Sequence, residues 1–379
     1  MIGPEYLQKN HATGDPPPFG AVDDVQTVYL SGEADAVGDV QPDNCPTIMV
    51  GSANPAGDRI NGWKEIPRVA GFDLKRLVVD ETNATLPYYV ESTKDLASIK
   101  RVVITMAGLL RNSWKYANSM RNSLICAAGR DTVNADIDSV LIAAPHWLSK
   151  EDVDAGAAQP SDIFYHGSTY QRGHAAIGPG DVEVSSYEVM DKLVKTFWNK
   201  DVYPSLESIV IASHSLGAQM TQRYAMLRPS QSEDPLLSYG VMNPGSVAWP
   251  VPERPSQAEE CTDSYDAWPY GIGPGKPKAF PRYVREEALN NRSAVLQRYI
   301  SRNIFYGFGT ADHGAGDTHC EAQWQGATRI ERGRNFEKML NDLPGWFPGR
   351  HSVDYIEGVS HEDYYMMLAE SMQRKLFLV

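Results

Sequence analysis

A chain of 379 residues, 42% hydrophobic and 22% charged, can bury a substantial core and is long for one average domain. Its formal charge of −13 argues against nucleic-acid or anionic-membrane partners, because no basic stripe exists to neutralise phosphates. No apolar run approaches the length needed to span a bilayer. The polar, proline-rich residues 1–24, with Pro16-Pro17-Pro18, read as an irregular arm. Strands are expected at 25–30, 47–50, 68–79 and 88–91, completing an N-terminal part over 1–98.

From residue 99 onward the pattern alternates. Strands are expected at 101–106, 139–144, 206–212, 239–242, 303–308 and 353–356. Helices are expected at 112–128, 185–198, 217–227, 336–343 and 362–376. Tyr187, Met190, Val194 and Phe197 fall on one helical face. Alternation of this kind predicts an α/β fold, with a mostly parallel sheet covered by helices on both faces. Two stretches break it, at about 147–184 and 250–300, and these are expected to form a cap over the catalytic core 99–379. Both leave carboxyl ends of strands, the edge where open α/β sheets bind ligands. Their aromatic residues Trp147, Tyr165, Tyr170 and Trp268 are the candidates for lining a substrate pocket, with core packing as the alternative for each.

The segment Ile209-Val210-Ile211-Ala212-Ser213-His214-Ser215-Leu216-Gly217 carries the chemistry. A β-branched run stops at a small-x-Ser-x-Gly turn and a helical pattern follows, as in a nucleophile elbow that lifts a serine hydroxyl off the sheet edge. The alternative is that Ser215 only caps the next helix. A serine hydroxyl needs a base, and the base needs an acid to orient it. In chains with such an elbow the order is serine, acid, histidine. His361 follows the 353–356 strand and precedes the last helix; His351 precedes that strand and lies at the wrong edge. Asp312 is the first carboxylate after the 303–308 strand, and is favoured over Asp317 on the Gly314-Ala315-Gly316 tip. The backbone N–H groups of Leu216 and Leu109 are the expected donors to an oxyanion, the second following Ala107-Gly108 at the end of the 101–106 strand.

With these residues placed, the chain from about residue 100 resembles the α/β-hydrolase superfamily, and more narrowly a fungal and bacterial group of serine α/β hydrolases. The resemblance rests on Gly108-Leu109-Leu110-Arg111-Asn112, Ser185-Ser186-Tyr187 with Asp191, the elbow through Gln219, and Gln222-Arg223-Tyr224-Ala225. It extends over Asn243-Pro244-Gly245-Ser246, Arg254-Pro255, Cys261 with Trp268-Pro269-Tyr270-Gly271, Gln325-Gly326 with Arg329, and Arg332-Gly333. The family pattern usually has glycine where this chain has Ser213 and Ala218. The resemblance implies a serine-hydrolase mechanism and names no substrate.

The expected activity is therefore cleavage of a small-molecule carboxylic ester or lactone through an acyl-enzyme, with no cofactor and no metal. A non-hydrolytic enzyme on the same scaffold (acyltransferase, lyase or cyclase) and an inactive binding module are the rival readings. His313, Asp317, His319 and Cys320 match no common metal-ligand spacing. Four cysteines allow three pairings; Cys126 reads as a buried free thiol, while a bridge between Cys261 and Cys320 would restrain an insertion. With two glycosylation sequons, at Asn83 and Asn291, an exported protein with its signal peptide already removed is expected, an intracellular one being the alternative.

Overall fold

A computed structural model describes residues 55–69, 71–92 and 94–378, together with the short antiparallel pair Asp24–Thr27 and Ile48–Gly51. Residues 1–23 of the expected arm lie outside the described residues. The main sheet has eight strands: β1 Phe72–Val78, β2 Thr85–Glu91, β3 Arg101–Ile104, β4 Val140–Pro145, β5 Ser208–His214, β6 Leu237–Met242, β7 Asn303–Gly309 and β8 His351–Ile356. Their spatial order is β1-β2-β4-β3-β5-β6-β7-β8. β2 is antiparallel to both its neighbours, and β4 to β8 run parallel through the central β3.

The sheet separates two apolar cores, and the side-chain period of two explains which residue goes where. Val102, Ile104, Ile209 and Ile211 enter one core; Val103, Val210 and Ala212 enter the other. The first core packs against helices Ser186–Phe197, Leu216–Leu227 and Arg329–Asn341, the second against Ser113–Gly129, Asp363–Leu368 and Glu370–Phe377. Ser185 and Glu188 close a capping box at the start of Ser186–Phe197.

Several expectations need correction. The closing helix is two helices, because Ala369 is extended (φ −55°, ψ 131°) although neither Gly nor Pro stands there. The helix expected at 336–343 begins at Arg329, where Thr328 caps it by accepting from the Glu331 N–H. The stretch 250–300 contains two unforeseen helices, Arg285–Asn290 and Arg292–Ile300, and the second packs on Leu216–Leu227. Cys126 is disulfide-bonded rather than a free thiol; a half-cystine is as apolar as a thiol, so burial could not tell them apart. Cys261 and Cys320 are bridged, with Cα atoms 5.9 Å apart. Among the described residues, no helix is long and apolar enough to cross a membrane.

Candidate active site

Ser215 sits between β5 and helix Leu216–Leu227 with φ +60° and ψ −123°, a conformation costly for any residue with a side chain. The neighbourhood enforces it. The Ser215 N–H donates to the Met242 carbonyl at 3.0 Å, and the Gln219 N–H donates back to the Ser215 carbonyl. Gly217 is required by close approach: a Cβ there would stand 2.4 Å from the Met106 carbonyl oxygen.

Three side chains from distant parts of the chain meet at this turn. His361 Nε2 lies 2.9 Å from Ser215 Oγ, and His361 Nδ1 lies 2.8 Å from Asp312 Oδ2. A carboxylate accepts, so Nδ1 carries the proton and Nε2 is left to accept from the serine hydroxyl. Asp312, 2% exposed, has its other oxygen 2.9 Å from Arg329 Nη1. Asp317 is engaged elsewhere: it accepts from Ser246 Oγ at 2.7 Å and pairs with His319, and burial is outweighed by these bonds so that its carboxyl titrates below the ordinary range.

Asn243, which sequence reasoning did not single out as a site residue, joins two of the loops. It accepts from the Gly309 N–H at 2.7 Å and donates to the Ser360 carbonyl at 3.0 Å. It thereby ties the end of β7, which leads to Asp312, to the residue before His361. Its φ of +43° is one asparagine tolerates, and an Asn-Pro step at a strand end was the available signal. His214 is also new to the site. Its ring centre lies 4.4 Å from that of His361, and burial, reinforced by His361 when that ring is protonated and by the charges of Lys115 and Arg329, pushes its pKa far below the ordinary histidine value.

Ser215 and His361 open into a cavity of about 230 Å³. Leu109 and Leu110 form one wall with Gly108, both leucines being partly exposed. The other wall is polar, with Asn112, Tyr116, Arg329 and the buried Lys115–Asp363 ion pair, whose Nζ lies 2.9 and 2.8 Å from the two carboxylate oxygens. Leu216 begins the elbow helix, so its N–H is one of the helix-start donors without an intrahelical partner.

The four aromatic candidates for the pocket wall are not at this cavity. Trp147 stacks on Tyr170 at 5.5 Å with Tyr165 edge-on, and Trp268 stacks on Phe280; all four are buried in the first core. Large rings bury area wherever a core offers it, and residue type alone does not say which core. Arg223 is likewise buried, bonded to Gln171, Ser246 and the Pro269 carbonyl. Gln219 packs on Gly245 and Ser246. Among the described residues the one cluster with metal-ligand proximity is Cys261, Cys320 and Glu321, whose two sulfurs are bonded to each other.

The strand order, with β4 between β2 and β3 and β5 beside β3, and the turn after β5 define the class: the chain has the α/β-hydrolase fold. It is similar to the structure of poly(aspartic acid) hydrolase-1 from Sphingomonas sp. KT-1, with a TM-score of 0.52 and 17% identity over 81% of this chain and 98% of that one. It is also similar to LpqC, a poly(3-hydroxybutyrate) depolymerase from Bordetella parapertussis, with a TM-score of 0.52 and 17% identity over 79% and 87%. No protein-family model matches the sequence, and no curated protein matches it by sequence.

Proposed function

We propose that the protein is a serine hydrolase that cleaves a carboxylic ester or lactone through an acyl-enzyme. The observation that carries this reading is the unbroken hydrogen-bonded line Asp312–His361–Ser215, at 2.8 and 2.9 Å, opening into a cavity. Ser215 Oγ attacks the carbonyl carbon as His361 Nε2 takes its proton, and Asp312 holds the imidazole in the tautomer that can accept it. The N–H groups of Leu216 and Leu109 take the negative charge that develops on the carbonyl oxygen. The tetrahedral adduct collapses, the C–O bond to the alcohol breaks, and His361 returns the proton to the leaving oxygen. Water, deprotonated by His361, then attacks the acyl carbon and releases Ser215. An ester is favoured over an amide because an alkoxide leaves more readily than an amide nitrogen.

In this reading the unit is the catalytic core 99–379 completed by the strands of 1–98. The stretches 147–184 and 250–300 act as covers that restrict approach to the sheet edge. Substrate contact falls to Leu109, Leu110 and the polar wall.

The test is labelling with a fluorophosphonate, followed by turnover of short aryl esters in water enriched in heavy oxygen. The expected result is modification at Ser215, loss of label and turnover in Ser215→Ala, and one heavy oxygen in the acid product. Full activity in Ser215→Ala would end this reading. Labelling of Ser215 without heavy oxygen in any product would move it to an acyltransferase.

A further inference from the structure

Elbows of this type usually carry glycine two residues before the nucleophile; here the residue is Ser213. Its hydroxyl has a definite partner. The β3–β5 ladder runs in register from Arg101↔Ser208 to Ile104↔Ile211 and then stops. Along a strand, successive N–H groups point to alternate neighbours. Thr105 accordingly donates to the Ala143 carbonyl on the β4 side at 2.9 Å. The next N–H, that of Met106, faces β5 beyond the end of the ladder. Met106 is fully buried, so water cannot serve it. Ser213 Oγ accepts this N–H at 2.8 Å, and Ser213 is itself fully buried.

A second contact holds the same segment. Gly217, in the first turn of the elbow helix, packs so tightly that a Cβ there would meet the carbonyl oxygens of Met106 at 2.4 Å and Ala107 at 2.9 Å. Met106 is thus held at its N–H by a hydroxyl and at its carbonyl by the close approach of a helix backbone. Gly108 follows directly and lies beside Ser215, a built Cβ falling 3.6 Å from that of the serine. Leu109 comes next, bearing the N–H assigned to the oxyanion in the reading above.

We infer that Ser213 is a positioning residue for the reaction: its hydroxyl extends the sheet by one bond and thereby fixes the aim of the Leu109 N–H. This rests on the serine-hydrolase reading. A glycine at 213 would leave the Met106 N–H buried without an acceptor, and the segment would gain freedom where donor placement matters most.

The experiment compares wild type, Ser213→Ala and Ser213→Gly, each titrated with fluorophosphonate so that rates are expressed per reactive Ser215. Hydrogen–deuterium exchange is followed on peptides covering 104–110 and, as a control, helix Ser186–Phe197. In both variants kcat per titrated site should fall about tenfold, a fraction of the loss seen when an oxyanion donor is removed outright. KM for a short aryl ester should stay within about twofold, because the ground-state carbonyl leans little on this donor. Exchange should rise in 104–110 and not in the control helix. A merely structural role would lower thermal stability and the titrated fraction while leaving kcat per site unchanged, and that result overturns the inference. Loss confined to Ser213→Gly also overturns it, since backbone freedom would then be the cause. If wild type neither labels at Ser215 nor turns over any ester, the functional reading fails; unchanged exchange in 104–110 would separately remove the role of the hydroxyl.

Discussion

Gly217→Ala would place a methyl group 2.4 Å from the Met106 carbonyl oxygen and 2.9 Å from that of Ala107. These two obstacles are backbone atoms and a third, at 2.9 Å, is the Cβ of Ser213, so no rotamer change can relieve the contacts. Moving the nearer one out to 3.0 Å requires a retreat of at least about 0.6 Å, and Met106 cannot slide freely because its N–H is held by Ser213. The displaced segment leads into Gly108-Leu109 beside Ser215. A misplacement near 1 Å at reacting groups costs on the order of a hundredfold, so kcat on an aryl ester should fall between about tenfold and a hundredfold. Overpacking should also cost about 1–3 kcal/mol of stability. The assay is steady-state kinetics per titrated Ser215, with thermal unfolding alongside. A variant with wild-type kcat and an unchanged Tm would refute the argument, since it would mean the contact is slack.

Two further outcomes are expected. Arg329→Leu strips the nearly buried Asp312 of one charged hydrogen bond, which should cost about 1–3 kcal/mol in chemical denaturation and lower kcat as the acid loses its anchor; Arg329→Lys should recover part of both. Equal kcat in Arg329→Leu would show that His361 alone holds Asp312. His351 is buried beside Tyr299 and Tyr306, and burial pushes its imidazole down to about 4. Its folded pKa lies below the unfolded value near 6.5, so the unfolded chain binds the extra proton between those values. Stability from this group is therefore complete above about pH 6.5 and drains away toward pH 4, by up to about 3 kcal/mol. His351→Gln should flatten the fall in unfolding free energy across that window, and an unaltered slope would contradict the assignment.

The sheet was legible because its strands are short β-branched runs between Gly- and Pro-rich turns, as in Ile209-Val210-Ile211. The three side chains that the geometry brings together were singled out by chain order relative to strand ends, a topological constraint that survives loose helix boundaries. Asp312 and Asp317 stand five residues apart in one loop, and nearness to the strand end favours Asp312; Arg329, at the start of helix Arg329–Asn341, takes Asp312, and Ser246, from the loop after β6, takes Asp317. The helix start at Arg329 has a local signal in Thr328-x-x-Glu331, whereas apolar periodicity marks only its second half, from Phe336. The break at Ala369 has no local signal. The aromatic residues were misplaced for a different reason: Trp147 and Tyr170 have the composition of a pocket wall and the location of a core, and only packing distinguishes the two.

The bridge between Cys261 and Cys320 spans 59 residues and ends three residues beyond Asp317, in the connection after β7 that carries Asp312. Around it Tyr265 stacks on Trp324, Trp324 Nε1 donates to the Glu260 carbonyl, and Ser264 donates to Glu321. The stretch after β6 and the connection after β7 are consequently one mechanical piece. Neither can be grafted from a distant homologue by itself without leaving an orphan cysteine and an unfastened segment next to the acid. Diversification at this end of the molecule is therefore a matter of inheriting both halves together.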